Sequence, residues 1–298
     1  MKKIIVALIT VLSLILMSYP HISHAAPKGY EERPVELNVN GKFISTDVHP
    51  IMDNNRLFIP IRSLASMGIH YSWNATTKVT TLKNKNGEYL KITVGSTTAY
   101  KADQPLKMDQ AAISKGGRVL VPIRFVSEAL GYHVNYEAIR KIVFVNSDDY
   151  EFDMNMITQD DLLSARRAAI SLPITTDFKL LGLQGTYHEY SFPVGRADAY
   201  FLLDGRHCTF VEIKEGKAIA IGQYDDTDRS RTAGKVPPNM VYDTDPIMKP
   251  YNKGSVLFME NRDGTAKAAY NDENGKRVEL KTKINVYSDI IQPLPDYQ

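Results

Sequence analysis

The chain has 298 residues, 43% of them hydrophobic and 23% charged, and its 36 Lys and Arg face 34 Asp and Glu. With Lys2 and Lys3 assigned to an expected leader, 34 basic residues balance 34 acidic ones, leaving none of the cationic surplus with which a nucleic-acid binder displaces counterions from phosphates. The single cysteine, Cys208, excludes an intrachain disulfide scaffold, so the fold must rely on its apolar core, in the manner of a Gram-positive exported protein.

Lys2-Lys3, the apolar run Ile4 to Met17 and the small-residue site Ser23-His24-Ala25 predict a signal peptide over residues 1–25. Its apolar core is too short, and too soon followed by Pro20, to predict a membrane span, and no later stretch is long enough for one. No cysteine follows the cleavage point to carry a lipid, and the tail from Gln292 has no hydrophobic anchor behind it. A secreted, extracellular protein is expected, either free or associated with the cell wall. Residues 26–33 read as a linker. Val35 to Val39, the Asn40-Gly41 turn and Lys42 to Ile44 predict a β-hairpin.

An internal repeat follows. Arg56-Leu57-Phe58-Ile59-Pro60-Ile61-Arg62 returns 62 residues later as Arg118-Val119-Leu120-Val121-Pro122-Ile123-Arg124. Each copy predicts a buried strand, a proline that opens a short helix, a glycine stop at Gly68 or Gly131, an aromatic strand (Ile69 to Trp73; Tyr132 to Tyr136) and a β-rich run (Lys78 to Leu82; Lys141 to Val145). The second copy has one extra residue before its glycine. Asn86-Gly87 and Gly95 punctuate two further strands, Tyr89 to Val94 and Thr97 to Tyr100. The Val-Pro-x-Arg core, the helix ending in Gly, and the Trp or Tyr followed by Asn or Glu resemble the copper amine oxidase N-terminal (stalk-type) domain family over residues 33–147. The resemblance implies a small exported module, often duplicated, found on bacterial surface and secreted proteins, and separate from the catalytic part of amine oxidases. It transfers no catalytic residue.

Asp148-Asp149-Tyr150-Glu151 marks a boundary by composition, and residues 150–298 predict a second domain whose core is independent of the first. Thr158 with Asp161 suggests a helix start, and apolar spacing continues to Ile170 before Pro173. The period then changes to two over Tyr187 to Phe192, Ala197 to Leu203, Cys208 to Ile213 and Ala218 to Tyr224. It resumes over Ser255 to Glu260, Ala266 to Tyr270 and Val278 to Tyr287. Between the two sets lies a long loop, residues 225–254. The fold class expected is α+β: a duplicated strand-helix-strand stalk-type domain, then a helix packed on an antiparallel sheet.

Several residues invite chemistry. Asn135-Tyr136-Glu137 resembles the sequence around the tyrosine that amine oxidases convert to a quinone, but Tyr136 aligns with Trp73 as the end of a repeat strand, and no His-x-His pair exists to hold copper. His70 and His133 occupy equivalent positions, and strand alternation turns both away from the core, with Ile69, Tyr71 and Trp73 facing inward. Arg62 and Arg124 are expected to hold backbone carbonyls of the following loop, or else to belong to a recognition surface. Asp225-Asp226-Thr227-Asp228 reads as a solvated acidic turn or as hard ligands for Ca²⁺, without the glycine and glutamate of an EF-hand. Cys208 reads as a buried inert thiol or as a nucleophile served by His188, with Glu189 beside it.

No catalytic, cofactor or metal residue is therefore assigned. The expectation is a non-enzymatic binding or adhesion protein of the bacterial cell envelope that contacts a cell-wall glycan or a surface protein, with no nucleic acid, no cofactor and no membrane span. The alternative is a secreted hydrolase using Cys208 and His188 in the C-terminal domain.

Overall fold

The structure, a computed structural model, describes residues 35–44, 48–182, 188–193 and 195–236, and the backbone of three later strands within residues 255–285. The expected leader, the 26–33 linker, residues 237–254 and the C-terminal tail lie outside the described residues. In chain order, the first part contains β1 (Glu36–Val39), β2 (Lys42–Ile44), β3 (Ile51–Asp53), β4 (Arg56–Pro60), a 3-10 helix (Ile61–Met67), β5 (His70–Asn74), β6 (Val79–Lys83), β7 (Tyr89–Thr93), β8 (Thr98–Lys101) and β9 (Gln104–Lys107). It continues with β10 (Ile113–Lys115), β11 (Arg118–Pro122), α1 (Ile123–Ala129), β12 (Tyr132–Glu137) and β13 (Ile142–Ser147). The second part contains α2 (Asn155–Thr158), α3 (Leu162–Ile170), β14 (Ile174–Thr175), β15 (His188–Pro193), β16 (Ala199–Asp204), β17 (His207–Lys214), β18 (Lys217–Asp225), β19 (Asp228–Gly234), β20 (Ser255–Glu260), β21 (Thr265–Asn271) and β22 (Arg277–Asn285). The architecture is α+β and rich in sheet.

Local chemistry explains the turns. Asn40 and Gly41 both take positive φ, 47° and 76°, as the expected type I′ hairpin between β1 and β2 requires. A Cβ on Gly41 would lie 2.5 Å from the Tyr150 hydroxyl, so this glycine also permits a close contact with the second part of the chain. At Gly68 (φ 71°) the 3-10 helix ends in a paired cap: the Gly68 N–H donates to Ala65 O and the Ile69 N–H to Leu64 O, while Ile69 and Leu64 are both buried in one cluster.

The strands form four sheets: β12-β13-β1-β2, β10-β11-β4-β3, β5-β6-β7-β8-β9, and a nine-stranded sheet β14-β18-β17-β16-β15-β20-β21-β22 with β19 also on β18. In the second sheet β4 and β11 are direct antiparallel neighbours, with Phe58 opposite Pro122, Ile59 opposite Val121 and Pro60 opposite Leu120. One core fills the first part around Leu37, Leu64, Leu82, Ile92, Val121 and Val145. A second lies between α3 and the nine-stranded sheet, where Ala165, Ala169 and Ile170 meet Tyr190, Phe192, Tyr200 and Val211.

Three expectations are corrected, and one contact crosses the expected boundary at 148–151: Ile139 and Phe43 of the first part pack in the second core. The main helix begins at Leu162 rather than Thr158, because the Asp161 carbonyl accepts the Ala165 N–H and the Asp161 carboxylate accepts the Ser164 hydroxyl. Tyr71 and Trp73 do not face inward, since β5 is a sheet edge and all five of its residues are exposed. The expected loop from 225 contains β19, which pairs Gln223 with Ala233 and Tyr224 with Thr232.

The two parts meet on a buried ion pair. Arg140 is fully buried; its guanidinium donates to the Glu137 carboxylate, to Ile170 O at 2.7 Å and to Leu172 O at 2.7 Å. Glu137 in turn accepts the Ile174 N–H at 3.0 Å. Burial disfavours the guanidinium charge most strongly of any one cause, but the Glu137 carboxylate and the Tyr190 and Tyr200 phenols together outweigh it and hold Arg140 well above its ordinary pKa. The C-terminal end of α3 and the start of β14 are thus fixed by a strand end of the first part.

Candidate functional site

A cleft of about 540 Å³ opens where the β1–β2 hairpin faces α2 and α3. Phe43, Tyr150 and Phe152 supply aromatic walls, Lys42 and Arg167 positive charge, and Glu151 and Asp153 negative charge. Its volume suits a small ligand or a segment of a polymer. Burial pushes the Tyr150 phenol up, keeping it a neutral hydrogen-bonding group. None of the residues that line the cleft comes from the described part of the 225–254 loop.

The nine-stranded sheet carries a row of ionisable residues on four adjacent strands. His188 pairs with Asp204, Asp204 with His207, and His207 with Asp225, so all four project from one face and are at most 4% exposed. His188 Nε2 lies 4.0 Å from Asp204 Oδ1. Asp225 Oδ2 lies 3.2 Å from Arg206 Nε and 3.1 Å from Arg231 Nη1, and its Oδ1 accepts the Thr227 N–H and hydroxyl. The acidic turn is solvated at Asp226, Thr227 and Asp228 but not at Asp225, which is buried and whose carboxyl is held below the ordinary range first by the Thr227 hydroxyl. Gln223 ties the row to its cover, accepting the Leu181 N–H and donating to the Thr209 hydroxyl. Gly182 lies against the His207 ring, where a Cβ would sit 2.9 Å from Cε1. No group of three metal-ligating side chains forms among the described residues.

Burial lowers the His207 pKa against the opposing pull of Asp225 and Asp204, with Arg206 and Arg231 assisting. The unfolded chain therefore takes up this proton first, so stability is full above about pH 6.5 and falls as pH drops through that value toward the lower folded pKa. Thermal melts from pH 7.5 to 5 should show this decline, and His207→Gln should flatten it; a variant with the wild-type slope would remove His207 as the cause.

The same register separates the hydrolase candidates. His207 and Cys208 are neighbours on β17 and point to opposite faces, so Cys208 also lies on the face opposite His188, with β16 between their strands. The thiol is buried among Ala199, Phe201, Phe210 and Tyr224. Glu189 sits in β15 opposite Leu203. Cys208 and His188 are not brought together, which leaves that reading without a nucleophile and base pair.

Arg62 and Arg124 are both exposed, and the ends of their helices are closed by backbone N–H groups. His70 and His133 are exposed as expected, and His133 Nε2 lies 3.0 Å from Asp148 Oδ1. Arg124 lines a second groove, of about 290 Å³, with Tyr136, Arg56 and Lys107. An arginine that does hold backbone carbonyls is Arg140, through Ile170 O and Leu172 O. The Glu137-x-x-Arg140 spacing beside a strand end was the available signal in the sequence.

Residues 38–145 match the copper amine oxidase N-terminal domain family. The copper amine oxidase N-terminal domain match runs from β1 to β13, and these two strands are parallel neighbours with Asn38 opposite Phe144 and Val39 opposite Val145. The matched segment thus begins and ends on adjacent strands. It contains the whole lining of the 290 Å³ groove, but only the hairpin side of the 540 Å³ cleft. No curated protein matches the chain.

Proposed function

We propose that the protein is an exported, non-catalytic binding protein of the bacterial cell envelope, made of a duplicated stalk-type domain over residues 33–147 and an α+β domain over residues 150–298. The cleft carries the reading: its mixed charge, aromatic walls and position between the two parts suit recognition of a polar polymer such as a cell-wall glycan or a surface protein. The leader read from Lys2 to Ala25 supports export, and no helix among the described residues is long and apolar enough to cross a membrane. The direct pairing of β4 with β11 supports the duplication.

The test is expression with residues 1–25 in a Gram-positive host, followed by fractionation and co-sedimentation with purified cell wall. The processed chain should begin at Ala26 and sediment with the wall. Lys42→Glu, which reverses a charge on the cleft rim, should weaken retention about tenfold. A chain that remains wholly in the supernatant overturns envelope binding, and undiminished retention of Lys42→Glu moves the site away from the cleft.

A further inference from the structure

An internal duplication shows which residues two copies have kept, and burial shows which of these the core explains. Phe58 corresponds to Leu120 and Pro60 to Pro122, so the pairs Phe58–Pro122 and Leu120–Pro60 are one pair seen from two strands. The copies are therefore related by a local two-fold between Ile59 and Val121, perpendicular to the sheet, and equivalent side chains open to the same side. Ile59 and Val121, Ile61 and Ile123, and Leu64 and Val126 are kept because they are buried. Three other correspondences have no such explanation. Arg62 and Arg124 are exposed, Trp73 and Tyr136 are 42% and 37% exposed, and Arg56 and Arg118 are half-buried, each donating Nη1 to the carbonyl of the preceding turn residue.

The groove around Arg124 shows how such residues combine. Arg56 comes from the first copy, and Arg124, Phe125 and Tyr136 from the second, so the groove exists only where the copies meet. With Arg56 and Asp109 paired to each other, its cations Lys107 and Arg124 face the single carboxylate Glu128. A guanidinium beside an exposed aromatic ring matches a sugar that carries an acidic group: the planar fork binds carboxylate or phosphate through two N–H bonds, and the ring covers the apolar face of the pyranose. The repeat makes Arg62, Trp73 and Arg118 the counterparts of Arg124, Tyr136 and Arg56, and the two-fold of β4 and β11, carried over to them, puts this second set on the same side. Two equivalent sites on one chain suit a polymer whose acidic group recurs, because the second contact then forms at high effective concentration.

We propose that this face of the domain binds a linear anionic glycan, through Arg124 and Tyr136 at one site and Arg62 and Trp73 at its counterpart. The inference rests on the glycan reading given above and names the chemistry of the ligand. The test is affinity electrophoresis of the purified chain through polygalacturonate, through poly(glycerol phosphate) and through neutral dextran. Retardation is expected in at least one polyanion and not in dextran, and the polyanion that retards identifies carboxylate or phosphodiester as the recognised group. Arg124→Ala with Tyr136→Ala, and separately Arg62→Ala with Trp73→Ala, should each weaken retardation about tenfold, and all four together should abolish it. Each variant should still melt cooperatively, so that lost retardation can be told from lost fold. Migration unaffected by either polyanion overturns the inference while wall co-sedimentation still stands or falls by itself. Retardation that survives all four substitutions, or that is lost only with the melting temperature, also overturns it.

Discussion

Replacing Arg140 with alanine is expected to cost about 3–5 kcal/mol of folding stability, because the Glu137 carboxylate would remain buried without its partner. The same change strips Ile170 O and Leu172 O of their donor, and the carbonyls lie too deep for water to substitute freely. A double change to Glu137→Leu and Arg140→Met should recover only part of the loss, since the two carbonyls and the Ile174 N–H would still lack partners. Two natural reporters can separate local from global damage: the single tryptophan, Trp73, lies in the first part and the single cysteine, Cys208, in the second. Tryptophan emission and thiol accessibility should change at one urea concentration in the wild type and at two in Arg140→Ala. A loss below about 1 kcal/mol with coincident transitions would show that the buried pair does not join the two parts.

The second large effect is expected at Tyr200, whose sign depends on what replaces it. Its ring is fully buried, 5.7 Å from Tyr190 edge-on and 5.2 Å from Phe192, and its hydroxyl has no hydrogen-bond partner among the described residues. Burial pushes the phenol far above its ordinary pKa against the pull of Arg140, so the group remains a neutral, unsatisfied hydroxyl. Tyr200→Ala should lose about 3–5 kcal/mol through lost packing and the cavity left behind. Tyr200→Phe keeps the ring, removes the buried oxygen and should gain about 1 kcal/mol. Urea denaturation of both variants distinguishes them, and a phenylalanine variant less stable than the wild type would mean that the hydroxyl is satisfied in solution.

What could be read in advance follows from where each signal resides. The meander from His188 to Asp225 was legible because alternation with Asp204-Gly205 and Glu215-Gly216 turns leaves few other solutions, and Gly68 announced its helix end through a conformation few residues tolerate. The turn at Ala102-Asp103 was hidden, since both residues take positive φ (47° and 65°) without a glycine to signal it, and β9 was missed with it. Tyr71 and Trp73 were misplaced because alternation assigns a face but does not say whether the core extends to a sheet edge. The polar row escaped notice for a related reason: His188, Asp204, His207 and Asp225 are far apart in sequence, and only strand register aligns them. The Glu137-x-x-Arg140 spacing signals an ion pair, but its burial depends on the end of α3, which that spacing does not contain.

The parallel pairing of β1 with β13 has a consequence for the order of assembly. Glu36–Val39 is the first described strand to be synthesised, yet its neighbour Ile142–Val145 follows about a hundred residues later. Until then β1 has only the three-residue β2 beside it, and closing so long an interval must precede the contacts that repay its entropy. A nascent chain halted before residue 142 would therefore hold Leu37 and Val39 open to chaperones, whatever the state of the repeat between them, and completion of β13 is the event that commits the first part to its final topology.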